Sequence, residues 1–127
     1  MKRIFKILSL TLLLCLCMPL FVFAKEGVGK IGGDNNSAIL CYTYDDDSYA
    51  VNEWKQVWGN WYYFGEDGIS KQNTWAEING KWYFFDQWSV MLHDTTTPDG
   101  YTVGPDGAWV KDGQVVVEAV ADTSTNN

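Results

Sequence analysis

Histidine occurs once, at position 93, and arginine once, at position 3. Cysteine occurs at positions 15, 17 and 41 only, and there are just three prolines. These scarcities exclude whole classes of chemistry. One His and one Cys outside the first two dozen residues give no metal-ligand spacing, and neither sits in a local setting that would activate a nucleophile. No glycine-rich phosphate loop with its lysine is present, and acids such as Asp67, Asp86 and Asp106 fall in turn-like stretches where Asp is ordinary. The expectation is a chain that is not an enzyme and needs no metal or cofactor.

The N-terminus is set apart by composition. Lys2, Arg3 and Lys6 precede an apolar run over 7–23, and Val22-Phe23-Ala24 puts acceptable residues at the −3 and −1 positions of a cut after Ala24. Residues 1–24 therefore read as a secretory signal peptide. An uncleaved anchor is the alternative, because the run approaches spanning length. Leu14 and Leu16 before the two cysteines argue against a lipoprotein signal. After cleavage six Lys face 16 acids, a formal net charge of −10. Such a chain is a poor partner for nucleic acid or an anionic bilayer, so neither is expected to bind it. Cys41 would be the one cysteine left, which rules out an internal disulfide and leaves a free thiol or a link to a second chain.

Residues 25–52 carry four glycines, the polar run Asn35-Asn36-Ser37 and the triplet Asp45-Asp46-Asp47. They read as a flexible acidic leader with one weak strand over 39–44. The triplet has part of the spacing of a calcium loop, but Tyr49 and Gln56 stand where further ligands belong, so a solvated acidic patch is expected.

What the sequence has in abundance is tryptophan, and all seven lie between Trp54 and Trp109. Trp54 recurs as Trp75, Gly59 as Gly80, Trp61 as Trp82, and Tyr62-Tyr63-Phe64 as Tyr83-Phe84-Phe85, every one at a step of 21. A shorter unit follows, with Tyr101 in the place of Tyr83 and Gly107 in that of Gly68 after an 18- or 39-residue interval. Units of about 54–74, 75–95 and 96–116 divide a repeat array over 53–119, and a polar tail at 120–127 reads as disordered. Asn79-Gly80 between apolar runs is a strong hairpin signal. Strands are expected over 55–58 with 61–64 and over 76–78 with 81–85, the first turn using Gly59-Asn60. Asp112-Gly113 predicts a last hairpin returning over 114–119. One hairpin is marginal in water, so the expected fold is all-β: a short solenoid of stacked hairpins, modestly stable alone and open to forming a homodimer.

"GNWYYFGEDG", "NGKWYFFD" and "TTPDGYTVGPDGAWV", with Trp recurring every 21 residues, resemble the choline-binding or cell-wall-binding repeats of Gram-positive surface proteins over 54–110. The resemblance implies a secreted, wall-associated protein that holds choline on teichoic acid, or another wall polysaccharide, in aromatic cages between hairpins. Each cage would take two aromatics from one hairpin and one from the next. Carried over, Trp54 and Trp61 would meet Tyr83, and Trp75 and Trp82 would meet Tyr101 in a weaker second site. Tyr62, Phe64, Phe84 and Phe85 would pack the interior, leaving Trp58, Trp88 and Trp109 exposed. The chain departs from the family at Trp58, in a turn-Asn position, at Trp88, and at Ser89, whose side chain would distort the second exit turn. Two other readings stay open: a structural or protein-interaction module whose aromatics are only core, and a targeting remnant of a wall enzyme.

Overall fold

Two-residue turns in which both central residues take positive φ match the right-handed twist of paired strands. The chain uses three of them: Trp58 and Gly59 (φ 55° and 81°), Asn79 and Gly80 (52° and 81°), and Asp112 and Gly113 (53° and 78°). In this computed structural model, which describes residues 26–117, ten strands result. They are β1 (Gly27–Gly32), β2 (Ile39–Thr43), β3 (Glu53–Val57), β4 (Asn60–Phe64), β5 (Thr74–Ile78), β6 (Lys81–Phe85), β7 (Thr95–Thr96), β8 (Thr102–Val103), β9 (Trp109–Lys111) and β10 (Gln114–Val115). β1–β2, β3–β4 and β5–β6 are separate antiparallel hairpins, and β7 to β10 form one meandering sheet. No helix occurs among the described residues. The expected signal peptide over 1–24 and the expected disordered tail over 120–127 lie outside the described residues.

The first tight turn corrects the sequence reading. Val57 pairs with Asn60, so Trp58-Gly59 make the bend and Asn60 begins a strand. Register decides this: Ile78 pairs with Lys81 in the same way, and the step of 21 sets Trp58 on Asn79. A second correction concerns the leader. Residues 27–43 form a hairpin, β1 against β2, with Gly29 opposite Cys41 and a bulge between Lys30 and Gly32. Its loop is held by Asp34, which accepts from the amide of Asn36 and the hydroxyl of Ser37. Cys41 is a free, half-buried thiol in a strand rather than in a loose segment.

The step of 21 governs the exits from the hairpins as well. The amides of Asp47, Gly68 and Ser89 bond the carbonyls of Tyr44, Gly65 and Asp86, and that of Gly107 bonds Gly104 after the shorter step. In three of these turns an Asp (Asp46, Asp67 or Asp106) accepts the amide two residues on. The fourth has Trp88 in that place, and Asp86 compensates by accepting from both Trp88 and Val90. Ser89 therefore leaves the second exit turn undistorted, at φ 66° against 76° for Gly68, contrary to expectation. Its hydroxyl, fully buried, donates to the Ala38 carbonyl and meets the Ser70 hydroxyl at 2.7 Å, and Ser70 accepts the Leu40 amide. Buried hydrogen bonds of this kind offset the cost of left-handed backbone at a non-glycine residue.

Successive units are joined by backbone. The Ser70 amide bonds the Leu40 carbonyl, the Met91 amide bonds that of Trp61, and Tyr83 bridges Ala108. Alternation along each strand then divides the aromatics. Phe64 enters one buried cluster with Ala38, Leu40 and Ala50, against which Tyr62 packs. Phe85 and Met91 enter a second with Ala76 and Ile78, against which Trp54, Tyr63 and Tyr83 pack. Phe64, Phe84 and Phe85 are interior, as expected. Lys55 of β3 spreads over the first hairpin, its ammonium 4.7 Å from the Tyr42 ring centre and 4.4 Å from that of Tyr44. The Tyr44 hydroxyl beside it, ahead of the neighbouring charges, keeps that ammonium basic above the ordinary lysine range.

Candidate functional site

The indoles lie on the face of each hairpin opposite Phe64 or Phe85, and on β5–β6 the buried Phe84 shares that face with Trp75 and Trp82. Trp54 stands opposite Tyr63 and Gln56 opposite Trp61, which puts all four on one face of β3–β4. Packing against the following unit brings Tyr83 to this face. Its ring lies 4.9 Å from Trp54 at an interplanar angle of 74°, while Trp54 and Trp61 stand 6.3 Å apart at 84°. The near-perpendicular planes leave a walled space instead of a stack. It is a cleft of about 530 Å³ lined by Trp54, Gln56, Gly59, Trp61, Tyr83, Met91, His93, Pro105 and Asp106.

One unit later the arrangement recurs. Tyr101 lies 5.7 Å from Trp75 at 89° and 5.5 Å from Trp109 at 88°. Trp75, Trp82, Asp99, Tyr101 and Trp109 line a second cleft of about 340 Å³. The structure thus gathers Trp54, Trp61 and Tyr83 at one place, and Trp75, Trp82 and Tyr101 at another, the grouping that the family resemblance implies. Sequence reasoning missed Met91 and Trp109. The signal was available, since Met91 to Trp109 is the same step of 18 as Tyr83 to Tyr101. Trp109, expected to be exposed, is half-buried in the second cleft, whereas Trp58 is 97% exposed and Trp88 is exposed as well.

Each cleft has a carboxylate at its rim. In the second, Asp99 accepts from the Trp75 indole N–H at 2.9 Å and from the Thr97 hydroxyl. These two bonds, the hydroxyl first, hold the Asp99 carboxyl below the usual carboxylate range. In the first, Asp106 faces Tyr83, whose phenol is pushed up by burial and then by the Asp106 charge. His93 bonds the Asp94 carboxylate at 2.8 Å. Aromatic faces with their negative quadrupole, walled around a small volume and edged by anions, attract a cation that cannot donate hydrogen bonds. Among the described residues no cluster of three metal-ligating side chains is found.

The comparisons with known proteins agree with this geometry. A family model for a choline-binding repeat matches residues 69–109, and one for a cell wall binding repeat matches 52–70. The choline binding domain of a Streptococcus pneumoniae protein is similar at 34% identity and a TM-score of 0.54, over 63% of this chain and 92% of that one. Choline binding protein F of Streptococcus pneumoniae is 30% identical with a TM-score of 0.54, over 68% of this chain but only 27% of its own. The endolysin of phage Cp-1, solved with choline, shares the fold at 23% identity and a TM-score of 0.52, and the chain spans 27% of its length. A comparison with curated proteins finds no match.

Proposed function

The chain belongs to the choline-binding repeat family, and from that premise we propose that it is a secreted, non-enzymatic protein retained on the cell wall by choline groups of teichoic acid or a related wall polymer. Its hairpins wind as a short solenoid, a reading supported by cross-unit backbone bonds that recur in the order of the repeats. The observation that carries the function is the recurrence of an aromatic cleft between units, lined first by Trp54, Trp61 and Tyr83 and then by Trp75, Trp82 and Tyr101. A trimethylammonium head makes no hydrogen bonds, so several ring faces are the means of holding it, at about 0.5–2 kcal/mol each according to desolvation. Two such clefts on one chain bind a polymer with repeated choline groups more tightly than either binds a free one.

Calorimetric titration of residues 25–127 with choline tests this. Two equivalents of choline are expected for the intact chain, and one for Trp61→Ala or Trp82→Ala. No heat with choline, or an unchanged stoichiometry in both variants, would refute the assignment.

Charge supplies a further expectation. The Asp99 carboxyl is depressed in the folded chain, so its contribution to stability is present above the usual carboxylate range and is lost as pH falls through the lowered folded value. The anion at the second cleft therefore persists through the range in which ordinary carboxylates protonate. In a Trp61→Ala background, choline affinity should stay level on acidification through that range and drop only below it. Asp99→Asn should weaken binding about 2–5-fold, less in high salt. Fluorescence titration against pH and salt measures both.

A further inference from the structure

Trp58 is a residue that folding does not explain. It sits in the left-handed region at φ 55°, where the other tight turns of this kind place Asn79 and Asp112. Asn and Asp tolerate that backbone, and a bulky side chain does not. Its indole gains nothing in return, since it is 97% exposed. The next residue, Gly59, lines the first cleft, and Trp61, 39% exposed, stands at the same mouth. This cleft, at about 530 Å³, is larger than the second, at about 340 Å³. It also holds groups that a quaternary ammonium cannot use. Gln56 and His93 make hydrogen bonds, and they share the cleft with Met91 and the aromatic rings.

We propose that Trp58 and the outer part of the first cleft form a subsite for a pyranose ring of the polymer that carries the choline. The inference rests on the cation reading of that cleft and extends it. A sugar offers apolar C–H groups on a face that lies flat on an exposed indole, and hydroxyls that match Gln56 and His93. The second cleft has no counterpart: Asn79 occupies its turn, and only Asp99 adds a charged group to its aromatic lining. Insertion of Trp58 into a bilayer is disfavoured by the formal net charge of −10 over residues 25–127, which opposes approach to anionic lipid.

The test compares the full secreted chain with Trp58→Asn, a substitution that recreates the Asn-Gly turn of the next hairpin and so keeps the fold. Titration calorimetry is run with choline chloride, with a hexosamine glycoside bearing phosphocholine, and with phosphatidylcholine vesicles. The native chain is expected to bind the glycoside about tenfold more tightly than choline, a gain of one stacked ring. Trp58→Asn should lose that gain, bind choline as before, and unfold at a higher temperature. Equal glycoside affinity in the two chains overturns the inference and leaves the choline reading intact. Trp58-dependent binding to vesicles without a gain on the glycoside overturns it in favour of a lipid surface. No heat with choline in the native chain overturns the choline reading, and the inference with it.

Discussion

Truncating Trp54 to alanine will cost about 3–5 kcal/mol of folding stability and abolish choline binding at the first cleft. Trp54 is the junction between site and core. Its indole lies 5.2 Å from Tyr63, 4.9 Å from Tyr83 and 5.8 Å from Phe85, ring centre to ring centre, and it packs against the cluster around Ala76, Ile78, Phe85 and Met91. Removing it opens a cavity between two units that share few other contacts of that size. Domains this small have roughly 5–15 kcal/mol in total, so much of the margin goes with one side chain. Trp58→Ala removes an equally large indole that packs against nothing and should shift stability by no more than about 0.5 kcal/mol. Urea unfolding of the two variants distinguishes a packed indole from an exposed one.

Gly107→Ala is the second large effect, at about 2–5 kcal/mol. Glycine is required there twice over. Its φ is +86°, and a methyl group at Cβ would lie 2.4 Å from Met91 Sδ and 2.5 Å from Met91 Cε. Met91 is buried in the second cluster and also lines the first cleft, so its thioether relieves the overlap by turning into that cleft. Overpacking of about 1–3 kcal/mol then adds to backbone strain of about 1–2 kcal/mol. Gly113 separates the two terms. Its φ is +78° with nothing within 4 Å of a Cβ, so Gly113→Ala should cost only the strain, about 1–2 kcal/mol. Because Met91 lines the first cleft, Gly107→Ala should also weaken choline binding there while Gly113→Ala leaves it unchanged. Denaturant midpoints and titrations of both variants check the pair.

The parts of the fold that were legible in the sequence are those where large residues recur. Trp, Tyr and Phe at a fixed step cannot be spaced by chance, and the grouping of the clefts comes from the family resemblance that this step carries. The strand expected over 39–44 is found as β2 (Ile39–Thr43), but its partner β1 was illegible for the complementary reason. One step of 21 before Trp54 and Trp61 stand Gly33 and Leu40, so the first unit carries none of the indoles that mark the others. A fainter signal ran through it nonetheless: Asp46 and Asp67, and Asn52 and Asn73, keep the step. Asn52, Asn73 and Asp94 all take φ 51°, a left-handed position that Asn and Asp fill readily. Polar turn residues thus keep the period in a unit that has no indole.

Trp58 and Ser89 misled for a different reason. Each breaks a local preference that the surrounding structure overrides. The Val57–Asn60 pair fixes the turn around Trp58, and two buried hydrogen bonds, to Ser70 and to the Ala38 carbonyl, fix Ser89. Such compensation is tertiary and cannot be read from spacing. Trp109 was missed at the third unit because the step there shortens to 18, which hides its equivalence to Met91. With that shift applied, the second cleft has its hairpin indoles, the tyrosine of the next unit and a residue from the following exit, in the same order as the first.

The central claim is that rings from successive hairpins converge on one bound cation. Nuclear Overhauser contacts between the methyl protons of choline and the indole protons of the folded chain test it most directly. The account predicts contacts to Trp54 and Trp61 together with Tyr83, and separately to Trp75 and Trp82 together with Tyr101. Contacts confined to Trp58 and Trp88, or to rings of a single hairpin with none from its neighbour, would contradict it.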